Sequence, residues 1–127
     1  MSIEIVLPYP PTVNHYWRSK VTQIKTAGKL KLVPKVYVAE KGLSFRSEVY
    51  ALCKKNKINK MSGRLKVRVL VNPPDNRKRD IDNLTKALFD SLTHAGAYND
   101  DSQIDEFTVV RLDAIKGGKV KVIIKEI

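Results

Sequence analysis

The alternation of apolar and polar residues is the first structural signal along the chain. Strict alternation predicts a strand at residues 65–71, and shorter strand patterns occur at 3–7, 107–114 and 120–124. Pro8, Pro10 and Pro11 end the first strand, because proline cannot donate to a strand ladder. The Lys-Gly-Gly-Lys turn at 116–119 predicts that the last two strands form a C-terminal β-hairpin.

Apolar residues at helical spacing predict two principal helices. Residues 39–56 carry one apolar face, made by Phe45, Val49, Leu52 and Cys53. Residues 80–96 carry the clearer stripe, and Gly96 stands where a helix would end. That second stripe consists of Ile81, Leu84, Leu88, Leu92 and Ala95.

The order of these elements defines the expected fold. Residues 17–37 have an irregular, lysine-rich pattern that indicates a mobile basic loop or a weak hairpin. Strand, loop, helix, strand, helix and two strands then follow one another. We therefore expect a single α+β domain over residues 1–127, with a small mixed β-sheet and two principal helices packed on it.

The charge of the chain narrows the class of partner. The sequence has 24 Lys and Arg against 13 Asp and Glu, a formal net charge of +11, which favours a polyanion such as nucleic acid. There is no apolar run of about 18 residues and no signal-peptide pattern, so we expect no membrane span and no export. The single cysteine, Cys53, fits a reducing cytoplasm.

Acidic residues interrupt the basic chain at two places. Asp80 and Asp82 directly follow the cations at 77–79, and the adjacent Asp100 and Asp101 stand about one helix length later. Asp80 is a good helix N-cap and Asp82 would favour the helix dipole, an interpretation that needs no metal. The pair at 100–101 has no local cationic partner, and a cap needs only one carboxylate.

A magnesium site accounts for both groups of acids. Mg²⁺ takes oxygen ligands and uses one or two carboxylates with water and phosphate oxygens, which Asp80, Asp82 and either Asp100 or Asp101 could supply. Lys86, one helical turn after Asp82, could contact a phosphate oxygen or the attacking water. This combination suits metal-assisted phosphodiester hydrolysis.

The same residues carry a resemblance to a known family. The segments LPYPPTVNHYWR, PPDNRKRDIDNLTKALFDSL and AGAYNDDSQI, with the later Lys-Gly-Gly, resemble the RusA family of Holliday junction resolvases. The resemblance implies a homodimer that uses Mg²⁺, with Mn²⁺ as a substitute, to nick four-way DNA junctions symmetrically in recombination and repair. It also implies a bacterial or phage-encoded protein. The segment at 20–35 departs from the family pattern because it is longer and richer in lysine.

The resemblance also assigns roles to individual residues. It implies catalytic roles for Asp80, Asp82, Lys86 and Asp101, with the three aspartates as metal ligands and Asp100 as the alternative to Asp101. Tyr16 and Trp17 could stack on a base at the open centre of a junction, or could instead cover the core. The expected DNA contacts are Asn14, Arg18, Lys20, Lys25, Lys29, Lys31, Arg77, Lys78 and Arg79.

A function of a different class also fits the charge. A basic DNA- or RNA-binding protein without catalysis would use its aspartates only as helix caps and counter-charges. The chain has no P-loop, no dinucleotide-binding glycine motif and no nucleophilic serine motif, so we expect no small-molecule cofactor.

Overall fold

The computed structural model describes residues 2–12, 16–26 and 28–127; at 18–26, 31 and 33–37 it describes the backbone alone. The strands are β1 Ser2–Leu7, β2 Trp17–Thr26, β3 Lys29–Val38, β4 Leu65–Asn72, β5 Ile104–Arg111 and β6 Lys119–Glu126. The helices are α1 Glu40–Lys55 and α2 Thr85–His94. Short 3-10 helices at Ile81–Leu84 and Asp101–Gln103 precede α2 and β5.

Four strands form one mixed sheet in the order β1-β6-β4-β5. β6 pairs antiparallel with β1 and β4, whereas β4 and β5 run parallel, with Leu65 opposite Ile104 and Val71 opposite Arg111. The parallel pair requires a crossover, which α2 supplies. The expectation of an α+β fold with a mixed sheet and two principal helices is confirmed.

The predicted C-terminal β-hairpin is wrong in its pairing. β5 and β6 lie on opposite sides of β4, so the last two strands are not neighbours. After β5 the chain passes around the end of β4, where the Leu112 N–H donates to the Val71 carbonyl at 2.7 Å. The glycine turn is present, but it does not join two neighbouring strands. The α2 crossover places β5 on one side of β4, so the chain passes the end of β4 and β6 pairs on the other side. β5 itself begins three residues earlier than expected.

The core lies between one face of the sheet and the two helices. Alternate residues of β4 and β6 are buried on that face, including Val67, Val69 and Val122. Leu88 and Leu92 of α2 cover them and are completely buried. Gly96 has φ +82°, a conformation that glycine tolerates well, so the helix ends where the sequence indicated.

The basic segment after β1 forms a two-stranded ribbon. β2 and β3 pair antiparallel from Trp17 opposite Val38 to Thr26 opposite Lys29, and Gly28 in the turn has φ +77°. The ribbon is a sheet of its own in the described residues, so the hairpin alternative for this segment is correct. Over the residues that the structure describes, neither helix has the length and apolar character needed to cross a membrane.

Candidate metal centre and nucleic-acid interface

Asp80 and Asp82 lie where the chain passes from β4 into α2. Asp80 has extended backbone angles, φ −80° and ψ 130°, immediately before the 3-10 helix, and its side chain makes no capping hydrogen bond. Both carboxylates are exposed, as is the ammonium-bearing side chain of Lys86. Because the capping role of Asp80 is not realised, its carboxylate remains available to a ligand.

The loop that leads to Asp80 is held by an acidic residue that sequence reasoning missed. Arg79 donates from Nη1 to Asp75 Oδ1 at 2.6 Å, and the Arg77 backbone N–H donates to the same oxygen at 3.0 Å. The hydrogen bond from Arg79, followed by that from the Arg77 backbone, lowers the pKa of Asp75 to about 2. Asp75 therefore stays ionised and organises the basic loop at neutral pH.

The three cations of the loop do not have the same surroundings. The Arg77 side chain is 83% exposed and makes only a loose ion pair with Asp75, while Lys78 is an exposed residue. The Arg79 side chain is 25% exposed, and its guanidinium lies 6.0 Å from the ring centroid of Tyr9. Arg77 and Lys78 are thus the accessible cations of the loop, whereas Arg79 holds the loop through its bond to Asp75.

A second unpredicted residue joins this loop to β5. Arg111, the last residue of β5, donates from Nη2 to the Arg79 carbonyl at 2.6 Å. It also lines a cleft of about 490 Å³ together with Tyr9, Arg77 and Asp80. A lone arginine at a strand end carries no sequence signal, because only the parallel pairing of β4 and β5 brings it to this loop.

The acidic pair at 100–101 divides into two different roles. Asp100 caps the 3-10 helix, since its Oδ2 accepts the Ser102 backbone N–H at 3.2 Å. Hydrogen bonding from Ser102 lowers the pKa of the Asp100 carboxyl. Asp101 is exposed, and its carboxylate has no hydrogen-bond or ion-pair partner in the described part of the chain. The Asp101 carboxylate is therefore the less constrained of the two.

One chain does not bring Asp101 to Asp80 and Asp82. Asp101 precedes the first residue of β5, while Arg111 at the far end of that strand contacts the Arg79 carbonyl. The seven residue steps from Ile104 to Arg111 span roughly 23 Å at about 3.3 Å each. Correspondingly, no three His, Cys, Asp or Glu side chains of the described residues cluster as a metal site.

Tyr16 and Trp17 occupy the base of the ribbon. Tyr16 is completely buried and its hydroxyl donates to Asp90 Oδ2, while Arg46 Nη2 donates to the same oxygen at 2.7 Å. The structure thus places Tyr16 in the core, the alternative to stacking on a base. Trp17 is half-buried and packs edge-on against Tyr16, with ring centroids 5.1 Å apart.

The other predicted DNA contacts lie mainly on the ribbon. Lys29 is exposed at its tip. Asn14 lies outside the described residues, as do the side chains of Arg18, Lys20, Lys25 and Lys31, although the backbone of these four belongs to β2 and β3. Their roles in DNA binding stay predictions.

Comparison with known proteins places this arrangement in context. The family model described as Endodeoxyribonuclease RusA matches residues 8–125. The chain is 36% identical over 125 residues to a crossover junction endodeoxyribonuclease of Enterobacteria phage HK97, covering 98% of this chain and 94% of the relative. It is 34% identical over 123 residues to the crossover junction endodeoxyribonuclease RusA of Escherichia coli K12, covering 96% and 92% of the two chains.

Proposed function

Because the chain belongs to the RusA family of endodeoxyribonucleases, we propose that it resolves four-way DNA junctions by paired, symmetric nicks. The observation that carries this proposal is a pair of exposed carboxylates, Asp80 and Asp82, that have no side-chain partner among the described residues and follow a loop of exposed cations. Acids at the point of phosphate contact weaken simple binding, but they are required where a metal meets the scissile phosphate.

The chain's own residues bring the phosphate to these acids. Arg77 and Lys78 are exposed beside Asp80, and the net charge of +11 attracts branched DNA from a distance. Asp75 and Arg111 hold the loop, so the cations and Asp80 keep a fixed relation to each other. Lys86, exposed near the start of α2, would stabilise charge that develops on the phosphoryl oxygens.

The donor set fits a hard divalent cation. Carboxylate oxygens are the ligands that Mg²⁺ prefers, and Mn²⁺ accepts the same set. A bound Mg²⁺ would polarise the scissile phosphate and lower the pKa of water at the site. Asp80 and Asp82 would hold it, together with Asp101.

Completion of this set requires a second copy of the chain. Asp101 lies at the opposite end of β5 from the Asp80 loop, and the pairing of β5 with β4 keeps them apart within one chain. A two-fold dimer, the commonest oligomer, can place Asp101 of each subunit beside Asp80 and Asp82 of the other. Such a dimer would carry two identical sites, which paired nicking of a junction needs.

A nicking assay on a mobile four-way junction tests the proposal. The wild-type protein should produce paired nicks with Mg²⁺ and none with a chelator. Asp82→Asn should bind the junction but not cut it. A non-catalytic binding protein would give no Mg²⁺-dependent product, and Asp82→Asn would change only its affinity for the junction. We also propose that the protein acts on DNA in the bacterial cytoplasm, where Cys53 would stay reduced.

A further inference from the structure

The buried side chain of Gln103 lies at the centre of the acidic turn. It is only 8% exposed, and its Oε1 accepts the backbone N–H groups of Asn99 at 2.7 Å and Asp100 at 2.9 Å. Its Nε2 donates to the carbonyls of Met61 at 3.0 Å and Gly63 at 2.8 Å. All four hydrogen-bonding positions of the amide are therefore used.

These bonds attach the turn to the segment that enters β4. The Met61 N–H donates to the Ala97 carbonyl at 3.0 Å, so the two segments are joined by their backbones as well. From the outside, Arg64 donates from Nη2 to the Ser102 carbonyl at 2.9 Å and forms an ion pair with Asp105. The turn is thus held from within by Gln103 and from outside by Arg64.

We propose that Gln103 is a positioning residue that holds the backbone of the turn so that Asp101 is presented to the metal centre. This inference rests on the proposed function. The Asp101 carboxylate has no hydrogen bond or ion pair in the described residues, so the backbone of its turn is what sets the direction in which the side chain leaves the chain. That backbone is fixed at Asn99 and Asp100 by Gln103 and at Ser102 by Arg64.

Glutamine alone among the side chains supplies this combination. Two acceptor positions and two donors at the same reach are needed, and a methionine of similar length supplies none of them. A glutamate would keep the acceptors but would set an oxygen against the carbonyls of Met61 and Gly63. Loss of the amide also leaves four backbone groups without these partners, among them the buried Met61 carbonyl, which favours movement of the turn.

Gln103→Met tests the inference, with Val122→Ala as a control that also destabilises the core without touching the turn. We expect hydrogen exchange at the Asn99 and Asp100 amides to accelerate in metal-free Gln103→Met and to stay slow in the control. The Mg²⁺ concentration for half-maximal junction cleavage should rise at least about tenfold, as for other partners of metal ligands. Junction affinity in chelator should be unchanged.

A second variant covers the case in which Gln103→Met does not fold. Gln103→Glu keeps the acceptors for the two amides, and it should raise the half-maximal Mg²⁺ concentration while leaving the exchange at Asn99 less affected. Unchanged Mg²⁺ dependence in a folded variant, or a change equal to that of Val122→Ala, overturns the inference. Failure of the wild-type protein to cut any junction would instead overturn the proposed function, while the exchange experiment still reports on Gln103.

Discussion

Arg111 donates from Nη2 to the backbone carbonyl of Arg79 at 2.6 Å, and this carbonyl belongs to the peptide group that joins Arg79 to Asp80. The end of β5 therefore holds the residue that precedes a proposed metal ligand. Two elements distant in sequence meet here because β4 and β5 are parallel neighbours, so their last residues lie at one edge of the sheet.

Arg111→Ala should slow junction cleavage at least about tenfold because the Asp80 peptide loses its fixed position. Arg68→Ala is the matched control, since it removes the same charge from an exposed position in the middle of β4. Both variants should bind the junction with similarly reduced affinity. Equal cleavage rates at saturating protein would show that Arg111 acts only through its charge.

The basic loop predicts an unusual titration. Hydrogen bonds from Arg79 and the Arg77 backbone lower the pKa of Asp75 from 3.8 to about 2. A depressed carboxyl pKa contributes stability above its ordinary pKa, and this contribution disappears as the pH falls from about 4 toward 2. Carbonyl NMR shifts should show Asp75 titrating near pH 2 in the wild type and closer to its ordinary value in Arg79→Ala. Arg77→Ala keeps the backbone donor and should shift it less.

Substitutions of Asp100 and Asp101 should affect junction cleavage differently. Asp101→Asn removes a proposed ligand and should abolish cleavage, with junction affinity equal or higher because a charge that repels phosphate is lost. Asp100→Asn keeps a side-chain oxygen that can cap the 3-10 helix, and asparagine is as good a cap as aspartate. It should therefore retain most activity. Greater loss in Asp100→Asn than in Asp101→Asn would reverse the assignment.

Tyr16→Phe should destabilise the protein without altering the metal site. The hydroxyl is lost from a network in which Arg46 and Asp90 join α1 to α2, and Asp90 keeps its 2.7 Å contact with Arg46. We expect a loss of about 1–2 kcal/mol in the free energy of unfolding, measured with denaturant. The Mg²⁺ dependence of cleavage should be unchanged, and a shift there would mean that this network reaches the metal centre.

Local patterns in the sequence predicted most elements but not their arrangement. The stripe through Leu88 and Leu92 predicted α2, and Gly96 predicted its end. The hairpin expectation failed because strand order depends on the α2 crossover, which no local pattern encodes. The different roles of Asp100 and Asp101 could have been predicted from the sequence, because Asp100 and Gln103 stand at the spacing of a capping box. The contact of Arg111 with the Arg79 carbonyl could not have been predicted, because it depends on the pairing of β4 with β5.

The proposed composite site makes a prediction that a site within one chain does not. In a mixed dimer of Asp82→Asn and Asp101→Asn subunits, one site would combine both substitutions and stay inactive. The other would combine Asp80 and Asp82 of one subunit with an intact Asp101 from its partner. Mixing the two inactive proteins should therefore restore single nicks. If subunits exchange freely in an equal mixture, about half of the dimers are mixed and carry one active site.

Two controls distinguish a composite site from a site within one chain. Asp80→Asn mixed with Asp82→Asn should stay inactive, because each intact Asp101 still faces a damaged pair. Light scattering at about 0.3 M salt, which screens repulsion between subunits of charge +11, should give twice the 14.4 kDa mass of the chain. No recovery of nicking in mixtures shown to exchange subunits would contradict the composite site.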